Sequence, residues 1–191
     1  MPFTKDNYYQ EKFTDLNMGN EPIKEIEFED CQFINCSFLE TKFNNCLFLD
    51  CQFENCNISA LDFTGSKLND TTFINSKVIG IDWTKADKIQ DLSFERSQIN
   101  YSNFRMLKLP KIKIVNCEAK ELDFTEANLT ESNFINTDFE KTIFFKTNLT
   151  KANLQGTKNY YIDIHNNTLT KAHFSMPEAI SLLSSLNIIL D

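Results

Sequence analysis

From Phe28 onward an apolar residue returns at every fifth position of the chain. The series runs Phe28, Phe33, Phe38, Phe43, Phe48, Phe53, Ile58, Phe63, Leu68, Phe73, Val78 and Trp83. One extra residue intervenes, and the series resumes at Ile89 and continues in steps of five to Phe174. Of these 30 centres only Asn159 is not apolar, and 15 of the 18 phenylalanines fall on them. The position two before each centre is Ala, Ser, Thr or Cys in 20 cases and Leu or Ile in eight; Asp87 and Asn167 are the two exceptions. The other three positions of each unit are mostly polar or charged. One large and one small side chain of every five therefore point inward.

A period of five fits neither a helix at 3.6 nor a strand at 2. It fits a chain that turns a corner after each unit, so that four units close a square coil. The next coil then stacks about 4.8 Å along the axis, the spacing of paired strands. The fold expected is all-β, a right-handed quadrilateral β-helix over residues 23–174, with 30 units making about 7.5 coils and a rod about 36 Å long. Residues 20 apart should stack. One interior column is expected to read Phe43, Phe63, Trp83, Phe104, Phe124 and Phe144, which assigns the single tryptophan to the core. Another reads Leu68, Ile89, Leu109, Leu129, Leu149 and Leu169.

Three segments break the pattern. Residues 1–22 are polar and loosely patterned and read as an N-terminal lead-in. Near residues 84–89 (Lys85, Ala86, Asp87, Lys88) the spacing stretches to six and Asp87 falls on a small inward position, which implies a bulge or register slip. That slip is either a structural adjustment or a small recognition loop on a rigid scaffold. After Phe174, Ser175-Met176-Pro177-Glu178 has the form of a capping box, with Ser175 as N-cap and Glu178 three residues on. A short C-terminal α-helix with apolar Ile180, Leu182, Leu183 and Leu186 should follow, and then an extended Ile188-Ile189-Leu190. These seven residues of the 175–191 tail exceed what capping one rod end requires, so they are expected to form a two-fold interface as well.

Segments such as Ala127-Asn128-Leu129-Thr130-Glu131 and Ala152-Asn153-Leu154-Gln155-Gly156 resemble the A(D/N)LXX signature of the pentapeptide-repeat family. The tail, with Leu182-Leu183, Leu186 and Ile188-Ile189-Leu190, resembles the end of its quinolone-resistance (Qnr) branch and of the immunity protein for microcin B17. The stretch from Lys113 through Ala119 into Asp123-Phe124 is similar to a central segment of that branch. The resemblance implies a homodimeric rod that mimics DNA in width and charge, binds DNA gyrase or topoisomerase IV, and modulates or protects it. This chain departs from several Qnr proteins in lacking large projecting loops. The fold alone names no partner, and a general protein-interaction scaffold remains the alternative.

Charge sharpens that expectation. The net charge is −8, and all of it lies in residues 1–100, where 17 Asp/Glu stand against 9 Lys/Arg; residues 101–191 carry 10 of each. An acidic chain disfavours direct nucleic-acid binding. Its acidity serves either solubility or attraction to a basic partner surface. Arg105, Lys108, Lys111 and Lys113 form a local basic stretch. The six cysteines (Cys31, Cys36, Cys46, Cys51, Cys56, Cys117) all occupy the small inward position, so their spacing is inherited from the repeat. They read as small buried hydrophobes rather than zinc ligands. Stacked Cys31–Cys51 or Cys36–Cys56 disulfides are not expected in a reducing compartment. With two outward histidines and no nucleophile, phosphate-loop or dinucleotide motif, the chain is read as non-enzymatic, with no cofactor, metal, catalytic residue or small-molecule substrate. No signal sequence or membrane span is recognised, and a cytoplasmic location is expected.

Overall fold

A computed structural model describes residues 3–19, 22–186 and 188. The chain winds into a four-sided parallel β-solenoid. Residues 20 apart pair in register on successive coils, as in Phe28 with Phe48 and Phe48 with Leu68, or Phe33 with Phe53. Strands such as Glu27–Glu29, Gln32–Ile34 and Lys42–Asn44 are three residues long because a corner follows each centre at once. The corner residue, two after the centre, commonly holds a left-handed φ, which at the non-glycine corners runs from 48° at Asp70 to 65° at Lys111. That conformation is uncommon outside glycine. Here it is held by the ladder, since the corner N–H donates to the coil that follows: Asp50 to the Asn69 carbonyl at 3.0 Å, Lys111 to Thr130 at 2.8 Å.

We number the sides by their centres. The first holds Phe43, Phe63, Trp83, Phe104, Phe124 and Phe144. The second holds Phe28, Phe48, Leu68, Ile89, Leu109, Leu129 and Leu149. The third holds Phe33, Phe53, Phe73, Phe94, Ile114 and Phe134, and the fourth Phe38, Ile58, Val78, Ile99, Ala119 and Phe139. On the first side the rings stack with centroids 6.3, 5.3, 5.7, 5.2 and 5.6 Å apart down the column. Trp83 is wholly buried within it. The small inward positions are hydroxyls and thiols for a reason beyond size. Ser66 Oγ donates to the Phe43 carbonyl at 2.7 Å and accepts from Cys46 N at 3.0 Å. Thr137 repeats both bonds, to Ile114 O at 2.7 Å and from Cys117 N at 3.4 Å. These bonds satisfy backbone groups that the corner removes from the ladder.

The solenoid begins earlier than the 23–174 span expected. Asn7–Tyr9 already pairs with Glu27–Glu29, and Lys12–Thr14 with Gln32–Ile34. Phe3, Tyr8, Met18 and Ile23 are buried and continue the five-residue beat, and Phe3 closes the end against Tyr8, Phe13 and Phe28. Residues 7–19 thus belong to the first coil and are not a lead-in. Near the other end Asn159 is no centre. It is exposed and donates to Asp138 Oδ1 at 2.8 Å, and the adjacent Tyr160 is buried in its place.

At the slip, a single 3-10 turn over Trp83–Lys85 takes up the extra residue. Asp82 Oδ1 holds the turn by accepting from Thr84 N at 3.2 Å. Beyond it the register is 21, with Leu68 opposite Ile89 and Phe73 opposite Phe94, and it then returns to 20. Asp87 does not turn inward. It is exposed and pairs with Lys67 at 3.6 Å, while Ala86 packs against the core.

The tail helix, Glu178–Leu186, is of the 3-10 type rather than α. Ser181, Ser184 and Ser185 each donate a hydroxyl hydrogen bond to the carbonyl three residues back, at 2.7, 2.6 and 2.9 Å, which favours the tighter turn. Ser175 does not cap it through its side chain, because Ser175 Oγ accepts from Gly156 N at 2.8 Å and ties the tail to the last coil.

Candidate interaction surfaces

The interior is filled, so recognition falls to the outward positions. The residue before a centre is often Asn or Asp because its side chain closes an Asx turn. Asn128 Oδ1 accepts from Thr130 N at 3.1 Å and Thr130 Oγ1 at 2.7 Å, and Asp62 does the same for Thr64 at 3.0 and 2.6 Å. Many of the outward carboxylates are thus engaged in local structure rather than free to bind. Asp123 is one: its pKa is lowered although burial pushes it up, because hydrogen bonds from Thr125 and the Arg105 guanidinium outweigh the burial.

The corners differ between the two halves of the rod. After the second side, Asp30, Asp50, Asp70 and Asp91 occupy one corner on four successive coils, each at a φ near +50°. Among the described residues none of the four makes an ion pair with Lys or Arg. Glu27 and Glu29 lie on the same side in an early coil. Further along, the corner charges neutralise one another: Glu121 faces Lys141 at 3.9 Å, Glu126 faces Lys146 at 3.6 Å and Glu131 faces Lys151 at 2.9 Å. The fourth side adds Lys120, whose pKa is raised by a hydrogen bond to Glu140 and the Asp138 charge.

All six cysteines are free and buried. Burial pushes the Cys51 thiol up to about 12 and Cys117 up to about 11. The Cys56 thiol is held up by its hydrogen bond with Cys36 and by burial. Each sulfur lies against carbonyls, Cys51 at 3.3 Å from Phe28 O for example, which is where Ser and Thr hydroxyls sit in other coils. Among the described residues no group of three or more His, Cys, Asp or Glu is placed to hold a metal ion. No helix among them is long and apolar enough to cross a membrane.

The tail splits the residues expected at an interface. Leu182 packs against the core and acts as a lid. Ile180, Leu183, Leu186 and Ile188 are exposed, at 44, 36, 39 and 51%. Ile189 and Leu190 lie outside the described residues. Met176, in the same tail, is exposed as well.

Residues 26–104 match the pentapeptide repeat region profile, and residues 123–158 match the pentapeptide repeats (8 copies) profile, together more than half of the chain. The chain belongs to the pentapeptide-repeat family. Among solved structures it is similar to two trypsin-treated variants of QnrB1, a plasmid-mediated fluoroquinolone resistance protein. One variant is 18% identical, with 97% of this chain and 98% of that one covered and a TM-score of 0.75. The other is 20% identical, with 97% of each chain covered and a TM-score of 0.75. HetL, a pentapeptide-repeat protein involved in heterocyst differentiation regulation in the cyanobacterium Nostoc, is 12% identical over 87% of this chain and 84% of its own, with a TM-score of 0.68. No curated protein sequence matches the chain. At these identities the likeness to QnrB1 and HetL is one of fold.

Proposed function

We propose that this pentapeptide-repeat protein is a non-enzymatic, DNA-mimicking homodimer that binds a type II topoisomerase and modulates or protects it. The observation that carries the reading is the corner column Asp30, Asp50, Asp70 and Asp91. It sets one carboxylate about every 4.8 Å along a stiff rod. That is longer than the roughly 3.4 Å rise per phosphate on one strand of duplex DNA, but it is a comparable density of negative charge along a line. A groove built to hold phosphates meets charge of the complementary sign, and such complementarity raises association rate. The likeness of fold to QnrB1, a fluoroquinolone resistance protein, over nearly the whole of both chains motivates the choice of partner. The exposed Ile180, Leu183, Leu186 and Ile188 support the tail as the dimer contact.

A second reading, an interaction scaffold for a different protein, is favoured by the confinement of free acidity to one half of the rod. A supercoiling assay with purified DNA gyrase, with and without a fluoroquinolone, separates the two. The topoisomerase reading expects the wild type to alter supercoiling or rescue it from the drug at micromolar concentration, and Asp50→Lys/Asp70→Lys to lose the effect. A wild type without either effect refutes it. For the dimer, Ile180→Asp/Leu183→Asp is expected to halve the mass seen by light scattering. Leu182 is left intact because it closes the core, and an unchanged mass refutes the tail contact.

A further inference from the structure

On the second side each coil is joined to the next by a regular set of backbone bonds. Leu109 N donates to Asn128 O at 2.9 Å, Lys111 N to Thr130 O at 2.8 Å, and Asn128 N back to Leu107 O at 2.9 Å. One coil earlier the equivalent bonds would run from Ile89 N to Lys108 O, Asp91 N to Pro110 O and Lys108 N to Asp87 O. None of the three forms among the described residues. The flanking sides stay closed. Trp83 N donates to Asn103 O at 3.0 Å on the first, and Ser93–Glu95 pairs with Lys113–Val115 on the third. The first side loses only its corner bond, because Lys85 N donates within the 3-10 turn to Asp82 O at 3.3 Å, so the rod is joined on both flanks and open along one side.

A change from extended strand to turn between coils does not explain the opening. The first side crosses the same change with Phe43 N to Asp62 O at 2.8 Å and Asn45 N to Thr64 O at 3.0 Å, and the third with Ile114 N to Asn133 O at 2.8 Å. Two features are particular to this junction. The one-residue slip at Lys85–Lys88 immediately precedes it. Lys108 and Pro110 stand where the next coil has Asn128 and Thr130, whose Asx turn shapes the strand for pairing. Lysine cannot accept that bond, and proline has no N–H to donate.

The result is a cleft of about 440 Å³ between the coils. Its floor is apolar, with Leu92, Leu109 and Ile112 below and Ile89 only half-buried. Three backbone donors, at Ile89, Asp91 and Lys108, and three acceptors, at Asp87, Lys108 and Pro110, are left without their ladder partners. Buried strand groups seldom go unpaired, and an exposed pair of this kind is a template for another strand. Around it Lys88, Lys108, Lys111 and Lys113 make no ion pair among the described residues, against the carboxylates of Asp91 on the rim and Asp70 in the adjoining groove. The neighbouring Lys67 is already taken by Asp87.

We infer that this opening is a docking slot for an extended segment of a partner protein that carries aliphatic residues flanked by acidic ones. The segment's backbone pairs with the free groups of Ile89, Asp91, Lys108 and Pro110, as in strand addition to a sheet edge. An aliphatic side chain covers Leu92 and Leu109, and its carboxylates meet Lys108 and Lys111. The slot abuts the acidic corner at Asp91, whose backbone it uses, and does not depend on the topoisomerase reading.

Two measurements on the full chain test it. Amide exchange by NMR should show Ile89, Asp91 and Lys108 exchanging at least roughly tenfold faster than Leu109, Lys111 and Asn128, as open backbone groups do. Equal protection overturns the opening itself. Fluorescence anisotropy with the labelled peptide Asp-Val-Ile-Val-Asp tests the slot. Binding is expected to weaken roughly tenfold or more for Lys111→Glu, for the charge-swapped peptide Lys-Val-Ile-Val-Lys, and for a peptide N-methylated at its central residues. Lys108→Asn/Pro110→Thr copies the Asn-Leu-Thr of the next coil. It should close the ladder, slow exchange at Ile89 and Asp91, and abolish binding in a protein that folds normally. No binding to the wild type up to about 1 mM overturns the proposal, as does equal binding to the closed double variant.

Discussion

Trp83 allows the energetics of the stacked interior to be tested at one side chain. It is wholly buried, stacked between Phe63 at 5.3 Å and Phe104 at 5.7 Å, with the edges of Phe73 and Phe94 at 6.0 and 5.7 Å. Its indole Nε1 has no hydrogen-bond partner. Trp83→Ala removes the whole plug from a column that cannot collapse, because each coil is held at strand spacing by its neighbours. Comparable truncations cost about 3–5 kcal/mol. For a chain of this size that lowers Tm by about 6–20 °C. Trp83→Phe is a different experiment. It keeps a ring in the stack and loses a volume worth about 2 kcal/mol at 0.8 per buried methylene. It also removes an unsatisfied buried N–H, whose desolvation costs about 1–3 kcal/mol. The two terms oppose, and the net change should lie within about 1 kcal/mol of zero. Circular dichroism at the strand band, followed in heat and in urea, reads both variants without relying on the deleted fluorophore. Unfolding in a solenoid is governed by neighbouring coils. Trp83→Ala should therefore be non-additive with Phe104→Ala and additive with Phe33→Ala. If Trp83→Phe costs about 2 kcal/mol, the orphan N–H carries no cost, and if it is as damaging as Trp83→Ala the volume term fails as well. If Trp83→Ala is neutral, the column does not hold the rod.

Three further outcomes are expected. With burial holding Cys51 at about 12 and Cys117 at about 11, iodoacetamide at pH 8 should leave both unmodified in the native protein and label all six cysteines in urea, as read by mass spectrometry; native labelling of Cys51 contradicts the packing. Gly80 and Gly65 both hold left-handed φ, +69° and +71°, but an added Cβ meets nothing within 4 Å at Gly80 and lies 2.1 Å from Asn45 Oδ1 at Gly65. Gly80→Ala should thus cost about 1 kcal/mol from backbone strain alone and Gly65→Ala measurably more, and equal losses in urea melts would show that Asn45 yields freely. The Glu131 pKa is lowered below 4.5 by the hydrogen bond and charge of Lys151, so its contribution is present above pH 4.5 and fades as pH falls through the depressed folded value. Lys151→Ala should lower Tm above about pH 4.5, where the pair is formed, and converge on the wild type in acid, which flattens the curve in that window; an identical Tm–pH curve in the variant rules the pair out as a contributor.

What the sequence carried, and what it could not, follows from where each property resides. A rod with two inward side chains per five residues is a statement about side-chain type, and type is written in the chain; the Phe43-to-Phe144 column and the inward cysteines are legible for that reason. The first coil was as well marked, by Phe3, Tyr8, Phe13, Met18 and Ile23, but its polar surroundings hide a beat that stands out only once the frame is extended backward from Phe28. The exchange of Asn159 for Tyr160 is legible too, since the one non-apolar centre has an aromatic neighbour. The helix type is less so: Ser181, Ser184 and Ser185 signal a tightened turn only when their hydroxyls are seen to reach back three residues. The opening beside Leu109 is least legible. Pro110 and the slip at Lys85–Lys88 are both visible in the sequence, yet neither is disruptive alone. Proline sits at a position whose N–H serves no ladder bond, and the slip is absorbed with the loss of one corner bond on the first side and of none on the third. Only their coincidence on one side leaves backbone groups of two coils facing each other unpaired. Function in a solenoid of this kind accordingly resides where the repeat fails or where its outward charges go unmatched, because along most of the rod the backbone groups are already bonded to the neighbouring coil.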